Sequence, residues 1–458
     1  MDTPEFERRR GPHASALACA IAVALGTAAP AGADELTELK QQLEAAQRSI
    51  DSLSQRIQAL EAERRAAPAT APAVAAAPAP APAPATPAPA TDEDKPRIDI
   101  YGFVMLDAIY DFNQMDPNWG DTLRVTKIPV NCPGDAGCGK DGEFLMGVRQ
   151  SRFGIKGLIP TDLGMLSTKL EFELFGVGRD EGKTTPRLRH AWAELGDWGA
   201  GQTWSLFMDP DVFPNTVDYW GPTGMVFLRN AQVRWTPVKD DGVQFAVGLE
   251  APGSALDTGK IADVDPTLGI TSENDWPDVT AQWRLHGDWG HFQAAGILRS
   301  IGYETTTTPS GNPSGNEVGW GINLSTSIAL LERDKIHLAA VIGEGIANYM
   351  NDGGVDLAPT RAFEAETVTQ YGWLAYWDHY WNERWSTTVG WSRNRQDNTG
   401  GQADTAFHAS DYGNLNLLYY PTGNVMVGGE LVYGKHELKD GSDADDTRLQ
   451  MSLKYNFD

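Results

Sequence analysis

Cysteine is scarce in this sequence: there are three in 458 residues, and Cys19 lies in an N-terminal export segment. That count excludes a disulfide-dense scaffold and a cysteine-only metal site. Long apolar runs are missing too. No stretch reaches the roughly 18 uninterrupted apolar residues of a membrane helix, so a helical membrane protein is excluded. Positive charge is in short supply, with 37 Lys and Arg against 62 Asp and Glu and a formal charge of −25. That balance argues against a nucleic-acid partner. The eight histidines are dispersed without an HxH or HExxH pair, and no GxSxG elbow or phosphate-binding loop occurs. No catalytic residue, metal or cofactor is expected, and the chain does not read as an enzyme.

What the chain does contain starts with a signal peptide over residues 1–33. Arg8, Arg9 and Arg10 precede the apolar core Ala14–Ala29, and Ala31, Gly32 and Ala33 form a small-residue cleavage site. Export makes a short-loop disulfide the expected state of Cys132 and Cys138, with two free thiols as the alternative. Within residues 34–65, Leu36, Leu39, Leu43, Ala46, Ile50, Leu53, Ile57 and Leu60 recur at spacings of three and four. This predicts an α-helical coiled coil about 39 Å long, or else a lone amphipathic helix. Residues 66–96 are mostly Ala and Pro, an extended spacer that can reach about 78 Å.

From Arg97 the texture changes to strands. In the last of them Leu449, Met451, Leu453, Tyr455 and Phe457 share one face, while Arg448, Gln450, Ser452, Lys454 and Asn456 share the other. Sixteen such strands are expected over 97–458, near 97–111, 146–159, 165–176, 187–196, 198–207, 225–236, 242–250, 278–287, 289–300, 317–329, 335–347, 367–377, 384–395, 407–419, 424–436 and 447–457. Long and short connections alternate without a break. An all-β transmembrane barrel of about 16 antiparallel strands predicts that phasing, with long loops outside and tight turns in the periplasm. An even strand count leaves both ends of the barrel on the periplasmic side, where the coil would lie. Trp198, Trp235, Trp289, Trp377, Trp381 and Trp385 fall beside short turns, as a periplasmic aromatic girdle would.

Four segments together resemble bacterial outer-membrane porins, and more narrowly the DcaP-like dicarboxylate porins: RIDIYGFVMLDAIYDF (97–112), RQSRFGIKG (149–157), RLRHAWAEL with GQTWSLF (187–195 and 201–207) and FPNTVDYWGPTG (213–224). The order of signal, coil, spacer and barrel matches as well. The terminal Asp458 after Phe457 departs from the pattern, since such barrels end on the aromatic. The resemblance implies a homotrimer that passes small negatively charged solutes across the bacterial outer membrane.

A channel needs a wet lumen and a constriction whose charges bias what passes. Strand parity turns Arg152, Lys156, Lys169, Arg187, Arg189, Arg234 and Arg284 inward as a basic wall, with His190 and Trp192 on the outward parity. One reading is an electropositive track for carboxylates. The other is a structural ladder in which Glu171, Glu173 and Asp107 neutralise the cations. The third long loop, 208–224, is the candidate constriction. It carries Asp209, Asp211, Asp218, Tyr219 and Trp220 between Pro210, Pro214 and Pro222, and an acidic loop facing a basic wall would create a transverse field. An ordinary surface loop is the alternative. The run DGSDADD (440–446) reads as a solvated acidic loop. The expected function is passive diffusion of small anionic or polar solutes such as dicarboxylates. The alternative is a barrel anchor tethering a periplasmic coil to the cell wall. Expected partners are outer-membrane lipid and lipopolysaccharide, small anions, a homotrimer and peptidoglycan.

Overall fold

The computed structural model describes residues 95–135, 137–176, 184–257, 270–305, 314–362 and 364–457. The expected signal peptide and coil, residues 66–94 of the expected spacer, and Asp458 lie outside them. Twenty strands follow in order: β1 (Arg97–Asp111), β2 (Glu143–Gly147), β3 (Arg152–Thr161), β4 (Gly164–Glu173), β5 (Arg187–Leu195), β6 (Trp198–Trp204), β7 (Arg229–Asp240), β8 (Val243–Glu250), β9 (Ile270–Glu273), β10 (Asp278–Gly287), β11 (Gly290–Thr305), β12 (Ser314–Leu330), β13 (Asp334–Glu344), β14 (Leu357–Pro359), β15 (Ala365–Thr367), β16 (Thr369–Tyr380), β17 (Trp385–Gln396), β18 (Phe407–Thr422), β19 (Val425–Leu438) and β20 (Asp443–Phe457).

β2 and β3 both pair with β1, so they are two parts of one interrupted strand. β9 and β10 both pair with β11 and form another. β14 and β15 make a separate small ribbon. What remains is a closed barrel of 16 antiparallel strands, each paired to its sequence neighbour, with β1 against β20 at the seam. Closure leaves no strand edge, the condition for a sheet in lipid. At the seam Gly102 has φ +155, and a Cβ there would strike the Arg152 carbonyl and the Phe457 ring. A side chain at this position would block the final strand from seating.

The burial pattern is inside out. In β20 Leu449, Met451, Leu453 and Tyr455 are 41–50% exposed, whereas Arg448 and Gln450 are fully buried. An apolar outer surface with a polar interior is what the two solvents of a membrane barrel select. The six tryptophans beside the short turns are all exposed on this outer surface. The strand order puts all eight expected long connections at one end. The eighth is shorter than expected, because β19 and β20 extend until only 439–442 turn the chain. The acidic run is therefore mostly strand: Asp443, Asp445 and Asp446 belong to β20, and Asp446 accepts the Asn113 backbone N–H at 3.1 Å.

The lumen is filled unevenly. Three long connections turn inward: L1 (112–142), L3 (205–228) and L6 (345–368). Leu123, Val125 and Ile128 of L1, Phe207, Met208 and Met225 of L3, and Ile346, Tyr349 and Met350 of L6 form one buried cluster. That cluster continues into Ile297 of β11, Val341 of β13, Leu374 and Tyr376 of β16, Tyr412 of β18 and Val432 of β19. Backbone bonds stitch L3 to L6, from Phe227 to Tyr349 and from Asn351 to Met225. Gly372 of β16 faces Gly224 of L3 so closely that a Cβ on either would collide with backbone. The loops thus press on the β11–β19 half and leave a gap along β1 and β3–β7.

Candidate functional site: the constriction and its wall

L3 is held from behind by carboxylates and amides. Asp209 accepts the Ser325 hydroxyl at 2.6 Å and meets His291 Nε2 at 2.6 Å and Arg284 Nη1 at 3.3 Å. Burial raises the Asp209 carboxyl, but the His291 and Ser325 hydrogen bonds with the Arg284 charge outweigh it and hold the group below the usual carboxylate range. Gln293 and Asn323 donate to the Met208 and Phe207 carbonyls. Further along, the buried Glu430 of β19 accepts the backbone N–H groups of Val217 and Asp218, each at 2.9 Å, and the Thr216 hydroxyl at 2.6 Å. Asp218 in turn accepts Thr122 Oγ1 and the Leu123 N–H from L1 at 3.0 and 2.9 Å. Asp352 of L6 ties Arg124 and Thr126 of L1. Nearly every polar group on the back of L3 has a partner, which fixes the loop in place.

In front of L3 lies the wall. Glu171 and Glu173 of β4 are buried, and Arg152, Lys169, Arg187, Arg189 and Arg229 approach them within 4.0 Å. Five cations against two carboxylates leave the wall electropositive. The ladder of ion pairs therefore exists, with more cations than carboxylates in it. Tyr219 of L3 hydrogen-bonds both Glu173 and Arg187 and stacks on Phe175 with ring centroids 3.9 Å apart. Its phenol is pushed up by burial and by the Glu173 charge. Trp220 packs edge-on against Trp119, and Arg124 lies 4.5 and 4.8 Å from the two rings.

Several sequence expectations are corrected by these positions. Arg284 belongs to the rear anchor of L3, where it pairs with Asp209 and Asp211. Among the described residues Asp107 pairs with no arginine; it accepts hydrogen bonds from Gln150, Gln450 and Ser452. The carboxylates of Asp209 and Asp218 are buried behind the loop, whereas Asp211 is exposed and pairs with Arg284. The surface that L3 turns to the wall includes Pro210, Phe213, Pro214 and Val217. His190 and Trp192 also change sides. A β-bulge at Arg189, between the pairs Glu171–His190 and Phe172–Leu188, shifts the parity of β5. His190 is consequently buried beside Thr203, and Trp192 lies under Arg234 at 5.3 Å. Arg234 otherwise bonds the Trp204 carbonyl and Gln232, and Lys156 sits 4.5 Å from the Tyr101 ring. In L1 the Cys132 and Cys138 sulfurs are joined.

The gap between L3 and the wall is a cavity of about 300 Å³, lined among others by Phe103, Gln150, Arg152, Arg189 and Lys454. Sequence reasoning missed one cation of this cavity, Lys454, and one of the wall, Arg229. Arg229 sat at the ragged start of an expected strand and is joined to the wall only by the path of L3. Lys454 was on the polar face of β20, but its neighbours come from β1 and β3, the other end of the chain. Among the described residues no group of three or more potential metal ligands occurs.

Comparison with known proteins agrees with this architecture. The outer membrane channel DcaP of Acinetobacter baumannii superimposes with a TM-score of 0.68 at 22% identity, covering 79% of this chain and 97% of that one. The anion-selective porin of Comamonas acidovorans gives a TM-score of 0.48 at 12% identity, covering 79% of this chain and 100% of that one. OmpT of Vibrio cholerae gives 0.48 at 13% identity, covering 80% and 99%. Comparison with curated protein sequences gives no significant match. The model of the DcaP outer membrane protein family matches residues 81–457, so the chain belongs to that family and is an outer-membrane porin barrel.

Proposed function

We propose that this porin is a passive channel selective for small anionic solutes such as dicarboxylates, and that the wall of β1 and β3–β7 sets the preference. The observation that carries the reading is the imbalance of five cations on Glu171 and Glu173, directly across the gap from L3. Arginine matches carboxylate geometry bidentately, and the partly desolvated gap strengthens the attraction. The overall charge of −25 does not oppose this, because charges beyond roughly 8–10 Å are screened in physiological salt. Liposomes containing the purified protein should swell faster in succinate than in a dication of similar size. Equal rates for both would defeat the reading.

The barrel acts as a homotrimer in this proposal. The outward faces of β5–β7 carry Leu188, Trp198, Val233 and Trp235, but among them Ala191, Ala193, Ala200 and Ala231 make a patch of small residues. A patch of small residues suits protein contact better than lipid. Residues 34–65 would then join as a periplasmic coiled coil that can reach peptidoglycan. Deleting 34–95 is expected to preserve conductance.

A further inference from the structure

The cavity between L3 and the wall has two chemically distinct surfaces. Arg152 and Arg189 answer to Glu171 and Glu173. Lys454 does not: among the described residues no carboxylate lies within 4.0 Å of it, and its ammonium rests 4.1 Å from the centroid of the Phe103 ring. Arg152 lies 5.1 Å from the same ring. A partly buried cation without a counter-charge is costly to keep. Its one favourable contact is an aromatic face that leaves the ammonium able to accept an anion. Gln150, Asn215, Thr216, Asp218 and Tyr219 give the cavity a polar part, but one side of it is apolar. Met105, Met426 and Val217 are buried together with Phe103 packed against them, and Phe213 and Pro214 of L3 line the same space.

We propose that this cavity binds organic monocarboxylates with a short apolar body, the carboxylate on Lys454 and the body against Phe103, Met426 and Phe213. The inference rests on the anion-channel reading and narrows it: among anions of equal charge and size, the less hydrated and more apolar is held longer. A basic wall facing an acidic loop would reward charge alone. A basic wall facing an apolar loop rewards charge and apolar surface together. Each methylene that leaves water on entering the gap strengthens binding by up to about fourfold. A polyhydroxylated carboxylate gains nothing from the apolar side.

The test is inhibition of the chloride current through the intact channel in planar bilayers by straight-chain alkanoates of three to six carbons and by gluconate. The inhibition constant should fall with each added methylene, and gluconate should inhibit least. Alkanoates that inhibit no better than gluconate would overturn the proposal without needing any variant. In Lys454→Met, whose side chain is similar in length but uncharged, every alkanoate should weaken about tenfold while the chain-length trend survives. In Phe213→Ser the trend should flatten while the anion preference stays. Unchanged inhibition in Lys454→Met would remove that residue from the site. An anion preference absent from the unaltered channel would instead sink the broader functional reading, so the two failures are distinguishable.

Discussion

The two halves of the barrel interior do opposite things with polar side chains. Along β11–β19 many inward polar groups hold a loop: Ser325 binds Asp209, Asn323 binds the Phe207 carbonyl, and Glu430 binds the Val217 and Asp218 amides. Their role is to hold loops, and the lumen there is closed. Along β1 and β3–β7 the cations gathered around Glu171 and Glu173 outnumber those two carboxylates, and the lumen stays open. Burial in hydrogen-bonded pairs makes a support, whereas leaving like charges in excess around water makes a filter. The two halves meet at L3. Its rear is anchorage, and its front is linked through Tyr219 to Glu173 and Arg187 and through the Val217 carbonyl to Gln150 and Gln450.

If that division is right, breaking the supporting half should alter channel size and breaking the filtering half should alter selectivity. The largest effect is expected from Glu430→Ala. It strands two buried backbone N–H groups at about 1–3 kcal/mol each, so the barrel should lose roughly 3–5 kcal/mol. Thermal unfolding in detergent would report that loss, and single-channel recordings should show a larger, noisier conductance as L3 comes loose. Next comes replacing Arg152, Arg187, Arg189 and Arg234 together by Gln. With only Lys169 and Arg229 left against Glu171 and Glu173, the anion preference should be lost while conductance changes little. Unchanged ion selectivity would remove these residues from the filter.

A smaller effect is expected from the other end of L3. Asp209→Asn keeps an acceptor but loses the charge facing His291 and Arg284, at a cost of about 1–3 kcal/mol. The same anchor is pH-sensitive. A carboxyl held below its unfolded value stabilises the fold above that value, near pH 4, and its contribution is lost as pH falls through the folded value. Current noise should therefore rise on acidification below about pH 4 in the parent channel. In Asp209→Asn it should already be elevated at neutral pH. The smallest effect is expected outside both halves. Arg333 and Glu383 form an exposed pair at 3.5 Å, and replacing both should shift stability by less than about 0.5 kcal/mol with no change in permeation.

Much of the barrel was legible because its signals are local. Parity in β20, the phase of long and short connections and the tryptophans beside turns each follow from a few neighbouring residues. The interior was legible only in part. Arg152, Lys169, Arg187 and Arg189 were read onto the inner face correctly, since alternation alone decides it. The bulge at Arg189 broke the same rule for His190 and Trp192, and nothing in RLRHAWAEL marks where an extra residue will be inserted. The direction of the L3 carboxylates was beyond sequence reading for another reason. Asp209 and Asp218 turn backward because His291, Ser325, Thr122 and Leu123 reach them from distant segments. Lys454 was hidden by closure, which brings the last strand beside the first and joins it to the wall.

The measurement that bears most directly on the division of the lumen is the zero-current potential of the purified porin in a planar bilayer under a salt gradient. Stepwise conductance with a potential of the sign given by preferential anion passage is the predicted result, because the open half carries excess positive charge at the gap. A potential showing cation preference would contradict the account, since it would mean that the wall of Arg152, Arg187, Arg189 and Lys454 does not govern what crosses.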